Sequence, residues 1–497
     1  MRHLLFKDTV YQLPFANNIT VLPLALIYLS LAECHKTSHF IHYNVLNVVS
    51  KSKIMFYHVI NRVLMVVILG GLNMATLAQN RIDTQRPDAP ELAAYGQYSV
   101  GVKTLEIINP QQIDFAKVDP AKPNITIQPI YDRPLTLEVW YPAIKVNHGN
   151  TTLKVYLRDG KTEVSIQGKA IRDAKPLNSS QKYPLVIISH GYPGNRFLMS
   201  HLAENIASKG YVVVSIDHTD STYRTQSAFG STLVNRPIDQ LFTLDQIELK
   251  SKDNSSFLYG LVNTQKTALI GYSMGGYGAV ISAGGSVTQQ AVDFPWGLPD
   301  NALQRYQNLN DTQQYPDPRL KTVIAFAPWG MNYGVWDQTT LKSVKVPMFF
   351  IAGSVDDVSG YEKGVRAIWQ GTTSVKRALL TFDNANHAVG APMPAPEESY
   401  VFDEALGFNI SEHYTDAVWS TTRMNNISQH FVTAWLEKYL KNNSDMDVYL
   451  NLKTNSNDGV WSKDDKGQSK ADHSHWAGFK NRTAKGLIFE KLAKGDG

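Results

Sequence analysis

Cysteine is all but missing from this chain: among 497 residues there is one, Cys34, close to the N-terminus. Beyond that point no disulfide, cysteine nucleophile or cysteine metal site can be built. Glu33 spoils a lipoprotein cleavage site at Cys34, which is therefore not read as a lipid attachment point. An excess of charge of one sign is lacking too. Lys and Arg number 48 against 44 Asp and Glu, a formal charge of +4, and no basic run with interleaved aromatics marks a nucleic-acid track, so nucleic acid is not an expected partner. Apolar runs of the ~20 residues that a membrane span needs are absent as well. The longest candidates, residues 21–32 with Pro23 inside and Val63–Leu72, both fall short. What remains, 43% apolar and 19% charged, is the composition of a globular protein with a large core.

The N-terminal region has a pattern of its own. From Met55 it shows a positive residue at Arg62, the apolar run to Leu72 and the small-residue ending Thr76-Leu77-Ala78. This is the layout of a secretory signal peptide. The expected organisation is an upstream extension over 1–54, a signal peptide over 55–78 and an exported, secreted or periplasmic, domain over 79–497. Anchoring to a membrane through the N-terminal segments is the rival reading. Asn124, Asn254 and Asn426 stand in N-x-S/T acceptors, which matter only where the source glycosylates its exports.

From about residue 85, short apolar segments alternate with helical ones. LTLEVWYPA (135–143), YPLVIISHG (183–191), YVVVSIDH (211–218), TALIGYS (267–273), TVIAFAP (322–328), PMFFIAGS (347–354) and ALLTFDNANH (378–387) read as buried strands. Such runs predict a mostly parallel sheet with helices on both faces, with chemistry gathered at the carboxyl ends of the strands.

One strand end carries a distinctive signal. In ALIGYSMGGYGAV (268–280) Ser273 stands between Gly271 and Gly275, where strand gives way to helix. A side chain held on so tight a turn needs near-empty flanking positions, and G-x-S-x-G is the nucleophile elbow that lifts a hydroxyl clear of the sheet. A serine hydroxyl needs a histidine to take its proton and a carboxylate to orient that histidine. Later strand ends offer Asp356 or Asp357 and then His387, in the order Ser, Asp, His expected on an α/β-hydrolase sheet. Asp356 fits the usual spacing after Gly353 better than Asp357, and Asp383 reads as a turn residue. The backbone N–H groups of Tyr192, in SHGYPGNR (189–196), and of Met274 are the candidate oxyanion donors. The side chains of Tyr192 and Trp329 either line a substrate pocket or simply pack.

SHGYPGNR, ASKGYVVVSIDHTDSTY (207–223), GYSMGG, GSVDD and NANH together resemble the platelet-activating-factor acetylhydrolase-like, or predicted dienelactone hydrolase, group of α/β-hydrolases. The elbow is also similar to that of bacterial polyester hydrolases. The resemblance runs from about residue 90 to the C-terminus and implies a carboxylic-ester hydrolase with a Ser-Asp-His triad and no metal or other cofactor. Two departures qualify it. Dienelactone hydrolases proper use cysteine where this chain has Ser273. The animal acetylhydrolases are expected to carry the acid after the strand matching TVIAFAP, which here leads into Pro328 and Trp329, so the acid falls to Asp356, as in the polyester hydrolases.

Insertions near 288–320 and 391–425 are either a cover for the site or surface elaboration. NISQHFVTAWLEKYL (426–440) reads as a packing helix, and His473 and His475 lack the neighbours a metal site needs. The expected activity is ester hydrolysis on a small or polymeric ester. An amidase or peptidase with the same triad, or a non-catalytic binding protein on this scaffold, are the alternatives.

Overall fold

A computed structural model describes residues 80–227, 229–309 and 315–496. The upstream extension and the expected signal peptide lie outside the described residues. Among those described, no helix is long and apolar enough to cross a membrane.

Ten strands form the main sheet: β1 (Ser99–Ile113), β2 (Ile130–Ala143), β3 (Ile171–Arg172), β4 (Tyr183–Ser189), β5 (Val212–Asp217), β6 (Val262–Tyr272), β7 (Leu320–Phe326), β8 (Met348–Gly353), β9 (Arg377–Phe382) and β10 (Leu487–Leu492). Their order across the sheet is β10-β9-β8-β7-β6-β4-β5-β2-β1-β3. The central run from β9 to β5 is parallel throughout. Antiparallel pairing enters where β5 meets β2, where β2 meets β1 and at the β9–β10 edge. The chain has the α/β-hydrolase architecture that the sequence predicts.

Continuous apolar strands arise because both faces are covered. Side chains alternate across the sheet, so Ile188, Ile270, Ile324 and Ile351 face a core shared with α1 (Ser200–Ala207) and α5 (Thr421–Lys441). Ile187, Leu269, Val323 and Phe350 face the opposite core, closed by α2 (Phe229–Lys252), α3 (Met274–Ser282) and α4 (Arg366–Gly371). The segment expected as a packing helix is α5: Phe431 and Trp435 are buried against Phe349, and the Trp435 indole N–H donates to Thr322 Oγ1 at 2.7 Å.

The two insertions differ in use. Leu303, Tyr306, Leu309 and Tyr315 of the first are buried in the core, and the Tyr306 hydroxyl bonds the Val234 carbonyl. The second forms a small hairpin, Phe402–Asp403 with Phe408–Asn409, beside the loop that carries His387. Asn426, one of the N-x-S/T positions, is buried, bonded through its side chain to Thr84 O and to the Arg86 N–H, and closed to a glycan in the folded chain.

Candidate active site

The close approach of β6, α3 and β4 is what demands glycine around Ser273. A Cβ on Gly275 would lie 2.0 Å from the Ser189 carbonyl oxygen, and one on Gly271 would lie 2.2 Å from the Gly275 carbonyl oxygen. No rotamer relieves a clash with backbone. Ser273 itself has φ 53° and ψ −113°, a conformation that costs a side-chain-bearing residue about 1–3 kcal/mol. Three backbone bonds hold it there: Ser273 N–H to Phe326 O at 2.9 Å, and Tyr277 and Trp329 N–H to Ser273 O at 2.9 and 3.2 Å. The hydroxyl stands at the N-terminus of α3, with the Met274 N–H in the first helical position.

The end of β8 and the loop after β9 meet at equally short range, since a Cβ on Gly353 would fall 2.2 Å from Ala385 O and 2.3 Å from Asn386 O. This contact brings Asp356 to His387. Both Asp356 carboxylate oxygens lie 3.0 Å from His387 Nδ1, while Oδ1 also accepts from Val358 N–H at 2.9 Å and Ser359 N–H at 2.8 Å. Burial pushes the Asp356 carboxyl up, but the imidazole and the two amide donors outweigh it and hold the group below the usual carboxylate range. Asp357 is exposed, and Asp383 is tied to Ser354 and Asn384 instead of to the imidazole.

With Nδ1 engaged by Asp356, Nε2 is the ring nitrogen left to face a hydroxyl. Among the described residues no hydrogen bond joins Ser273 Oγ to His387. The two are neighbours through Tyr272, whose ring centroid is 5.2 Å from the imidazole. The His387 loop is fastened from the second insertion, because Asp416 accepts the Asn386 N–H at 2.6 Å and Thr415 O accepts from Asn386 Nδ2 at 3.3 Å.

A cluster of aromatic rings in mutual contact includes Trp329, whose backbone N–H is bonded to the Ser273 carbonyl. Trp329 stacks on Tyr333 with centroids 4.5 Å apart and meets Phe229 edge-on at 5.1 Å, Phe229 meets Tyr192 at 5.2 Å, and Trp296 of the first insertion joins Trp329 at 6.2 Å. The Tyr192 hydroxyl is spent on the Ser227 carbonyl at 2.7 Å. On the imidazole side, a cavity of about 630 Å³ is lined by His387, Tyr272, Phe408 and His413. Burial, with the nearby Arg158 charge, pulls the His413 imidazole down to about 3, so it stands there as a neutral group bonded to the Tyr223 hydroxyl at 2.8 Å.

A PET hydrolase-like family model matches residues 168–305, the stretch that holds the SHG loop and the elbow. The chain is an α/β-hydrolase related to the polyester hydrolases. Cutinase 2 of Thermobifida cellulosilytica is 27% identical over 206 residues, covering 41% of this chain and 60% of that protein. Platelet-activating factor acetylhydrolase of Cavia porcellus is 27% identical over 313 residues, 54% of this chain and 62% of that protein. The chain thus spans about three-fifths of the length of these curated relatives. A ferulic acid esterase from Streptomyces cinnamoneus, 18% identical, superimposes with a TM-score of 0.46 over 71% of this chain and 94% of that one.

Sequence reading missed a buried polar layer beneath the SHG loop. Ser189 Oγ lies 2.8 Å from His218 Nε2, and His218 Nδ1 lies 2.8 Å from Asp239 Oδ2. Asp239 and Asp220 also grip the Arg133 guanidinium, at 2.8 and 3.0 Å. Ser189, His218, Asp239 and Arg133 are essentially without solvent exposure. Their residue types were visible, but partners 106 positions apart, such as Arg133 and Asp239, are named only by the fold.

At the chain's end, His473 contacts Ser462 O at 3.0 Å and His475 contacts Lys480 O at 3.0 Å. No group of potential ligands able to hold a metal ion occurs among the described residues.

Proposed function

We propose that the chain is a secreted serine hydrolase that cleaves carboxylic esters through an acyl-enzyme. The observation that carries this is the Asp356–His387 pair delivered by β8 and β9 to the rim where the elbow holds Ser273. In the proposed reaction His387 Nε2 takes the Ser273 proton as Oγ attacks the ester carbonyl carbon, and Asp356 stabilises the imidazolium. The Tyr192 and Met274 N–H groups receive the charge that develops on the carbonyl oxygen. Collapse breaks the bond to the alcohol oxygen, which leaves with the proton from His387. Water, deprotonated in turn by His387, releases the acid. The hydroxyl and imidazole need to close to bonding distance for the first step, as such contacts do once substrate arrives.

Trp329, Tyr333 and the Tyr192–Phe229 pair favour an acyl group with a flat or extended apolar body. The PET hydrolase-like and cutinase relatives support a polymeric ester as the physiological substrate class. Export rests on the Met55–Ala78 pattern.

The test is hydrolysis of p-nitrophenyl esters of graded acyl length, with matched anilides beside them, by wild type and Ser273→Ala. Ester turnover that disappears in the variant is expected. Anilides cleaved as fast as esters would make the protein an amidase, and turnover of neither would leave a binding protein. Edman sequencing of exported protein should begin at Gln79.

A further inference from the structure

Arg236, on α2, is a buried cation with an unusual set of partners. It is 1% exposed, and among the described residues its guanidinium forms no ion pair, since Asp220 and Asp239 are gripped by Arg133. Instead Nη1 donates to the His190 carbonyl, and Nη2 donates to the Gly191 carbonyl at 2.8 Å and to Ser221 Oγ at 2.8 Å. Desolvation pulls its pKa down to about 9, against the opposing pull of the Asp220 and Asp239 charges. A buried cation held by neutral acceptors is costly, and an apolar side chain would fill the space at less expense.

The identity of the acceptors explains the charge. His190 and Gly191 directly precede Tyr192, the proposed oxyanion donor. In a trans peptide the C=O of one residue and the N–H of the next are parts of one rigid plane and point in opposite directions. Fixing the Gly191 oxygen therefore fixes the direction of the Tyr192 N–H. This plane stands beside the nucleophile, because a Cβ on Gly191 would lie 3.3 Å from Ser273 Cβ. A second donor reinforces the hold: His190 Nδ1 lies 2.7 Å from the same Gly191 oxygen, and His190 Nε2 accepts the His218 N–H at 3.3 Å, which places the ring proton on Nδ1. A cation on the carbonyl end also polarises the peptide and strengthens the N–H as a donor.

We infer that Arg236 is a positioning residue for the oxyanion hole, aiming and polarising the Tyr192 N–H through the Gly191 carbonyl. The inference rests on the esterase reading above.

The experiment compares wild type, Arg236→Gln and Arg236→Lys, each checked for folding by near-UV circular dichroism and melting. The readouts are kcat and KM on a short p-nitrophenyl ester, the Ki of a trifluoromethyl ketone that forms a tetrahedral oxyanion on serine, and the Ki of an unreactive ether of the same shape. Removing one oxyanion donor costs a factor of about 10² to 10³, so misaiming one should lower kcat about 10- to 100-fold in Arg236→Gln. KM and the ether Ki should hold within about twofold, while the ketone Ki weakens by the same factor as kcat. Arg236→Lys, which keeps the charge but only one directed contact, should fall between, and it carries the test should the glutamine variant not fold. Unchanged kcat and ketone affinity in a folded variant, or equal weakening of ketone and ether, overturns the inference alone. Lack of Ser273-dependent hydrolysis in wild type overturns the esterase reading and this inference together.

Discussion

Exchange of Asp356 for asparagine isolates the proposed acid's role with little change in volume. In the folded chain Oδ1 accepts from two backbone amides, Val358 at 2.9 Å and Ser359 at 2.8 Å, so an asparagine settles with its carbonyl oxygen there. Its NH₂ group then replaces Oδ2, 3.0 Å from His387 Nδ1. That NH₂ cannot accept from Nδ1 and the negative charge is gone, while the oxygen kept at Oδ1, also 3.0 Å from Nδ1, is already shared by the two amides. The ring is therefore drawn toward carrying its proton on Nε2, the nitrogen that should receive the serine proton. The base is thereby disabled without disturbing the fold. A tautomer error of this kind lowers kcat by about 10⁴ where it has been isolated in a serine protease triad, about 5.5 kcal/mol in the barrier. Stopped-flow release of p-nitrophenol from a short ester should show a loss of at least about 10³ in the acylation rate. The exposed Asp357, changed in the same way, should retain the wild-type rate within about twofold, as surface substitutions generally do. A wild-type burst from Asp356→Asn, or equal losses at both positions, would refute the reasoning.

Three further predictions follow from other parts of the molecule. Gly275→Ala places a methyl 2.0 Å from Ser189 O, so it should abolish ester turnover and lower the melting temperature, as read by calorimetry; a normal rate would mean that the elbow tolerates a side chain. Trp329→Ala empties a site that is 6% exposed and should cost about 3–5 kcal/mol in urea unfolding, whereas Tyr333→Ala, at 50% exposed, should leave stability within about 0.5 kcal/mol and raise KM for aromatic acyl groups. His201 and His430 are fully buried, with burial pulling both down to about 3, against about 6.5 in the unfolded chain. Below pH 6.5 the unfolded state binds protons that the native state refuses, so stability present above that pH is lost as pH falls toward 3. Each histidine contributes up to about 1.4 kcal/mol per pH unit, and unfolding at pH 6 and pH 5 should differ by roughly 2–3 kcal/mol for the pair. A flat profile would place partners on both rings.

How much of this was legible in the sequence depended on how local the cause was. The parallel strands could be read because burial on both faces leaves an unbroken apolar run, as in YPLVIIS, and the elbow because G-x-S-x-G is a contiguous motif, although only Gly271 is required by a near neighbour, Gly275, while Gly275 is required by the distant Ser189. β1 was not read, since SVGVKTLEIINPQQI pairs antiparallel near the sheet edge and carries polar residues along one face. β10 follows a long irregular stretch and has only Leu487 and Phe489 buried. Two adjacent aspartates after β8 could be narrowed by spacing, but which one meets His387 depends on the turn that buries Asp356 and leaves Asp357 in solvent. The anchoring of the His387 loop by Asp416, and of the SHG loop by Arg236, had no local signal at all.

The sealed trio under the SHG loop gives the molecule an internal control. Ser189, His218 and Asp239 reproduce the residue types and hydrogen-bonding distances of a charge-stabilised hydroxyl, yet no reactant can reach them, and desolvation together with the charges of Arg236 and Arg133 holds the His218 imidazole well below its ordinary range. A fluorophosphonate probe should therefore modify Ser273 and leave Ser189 untouched at any concentration that spares the fold. On the proposed reaction the two serines are told apart by access and by the sign of the surrounding field: the histidine–carboxylate contact is common to both places, and the hydroxyl–imidazole bond is formed only in the buried trio.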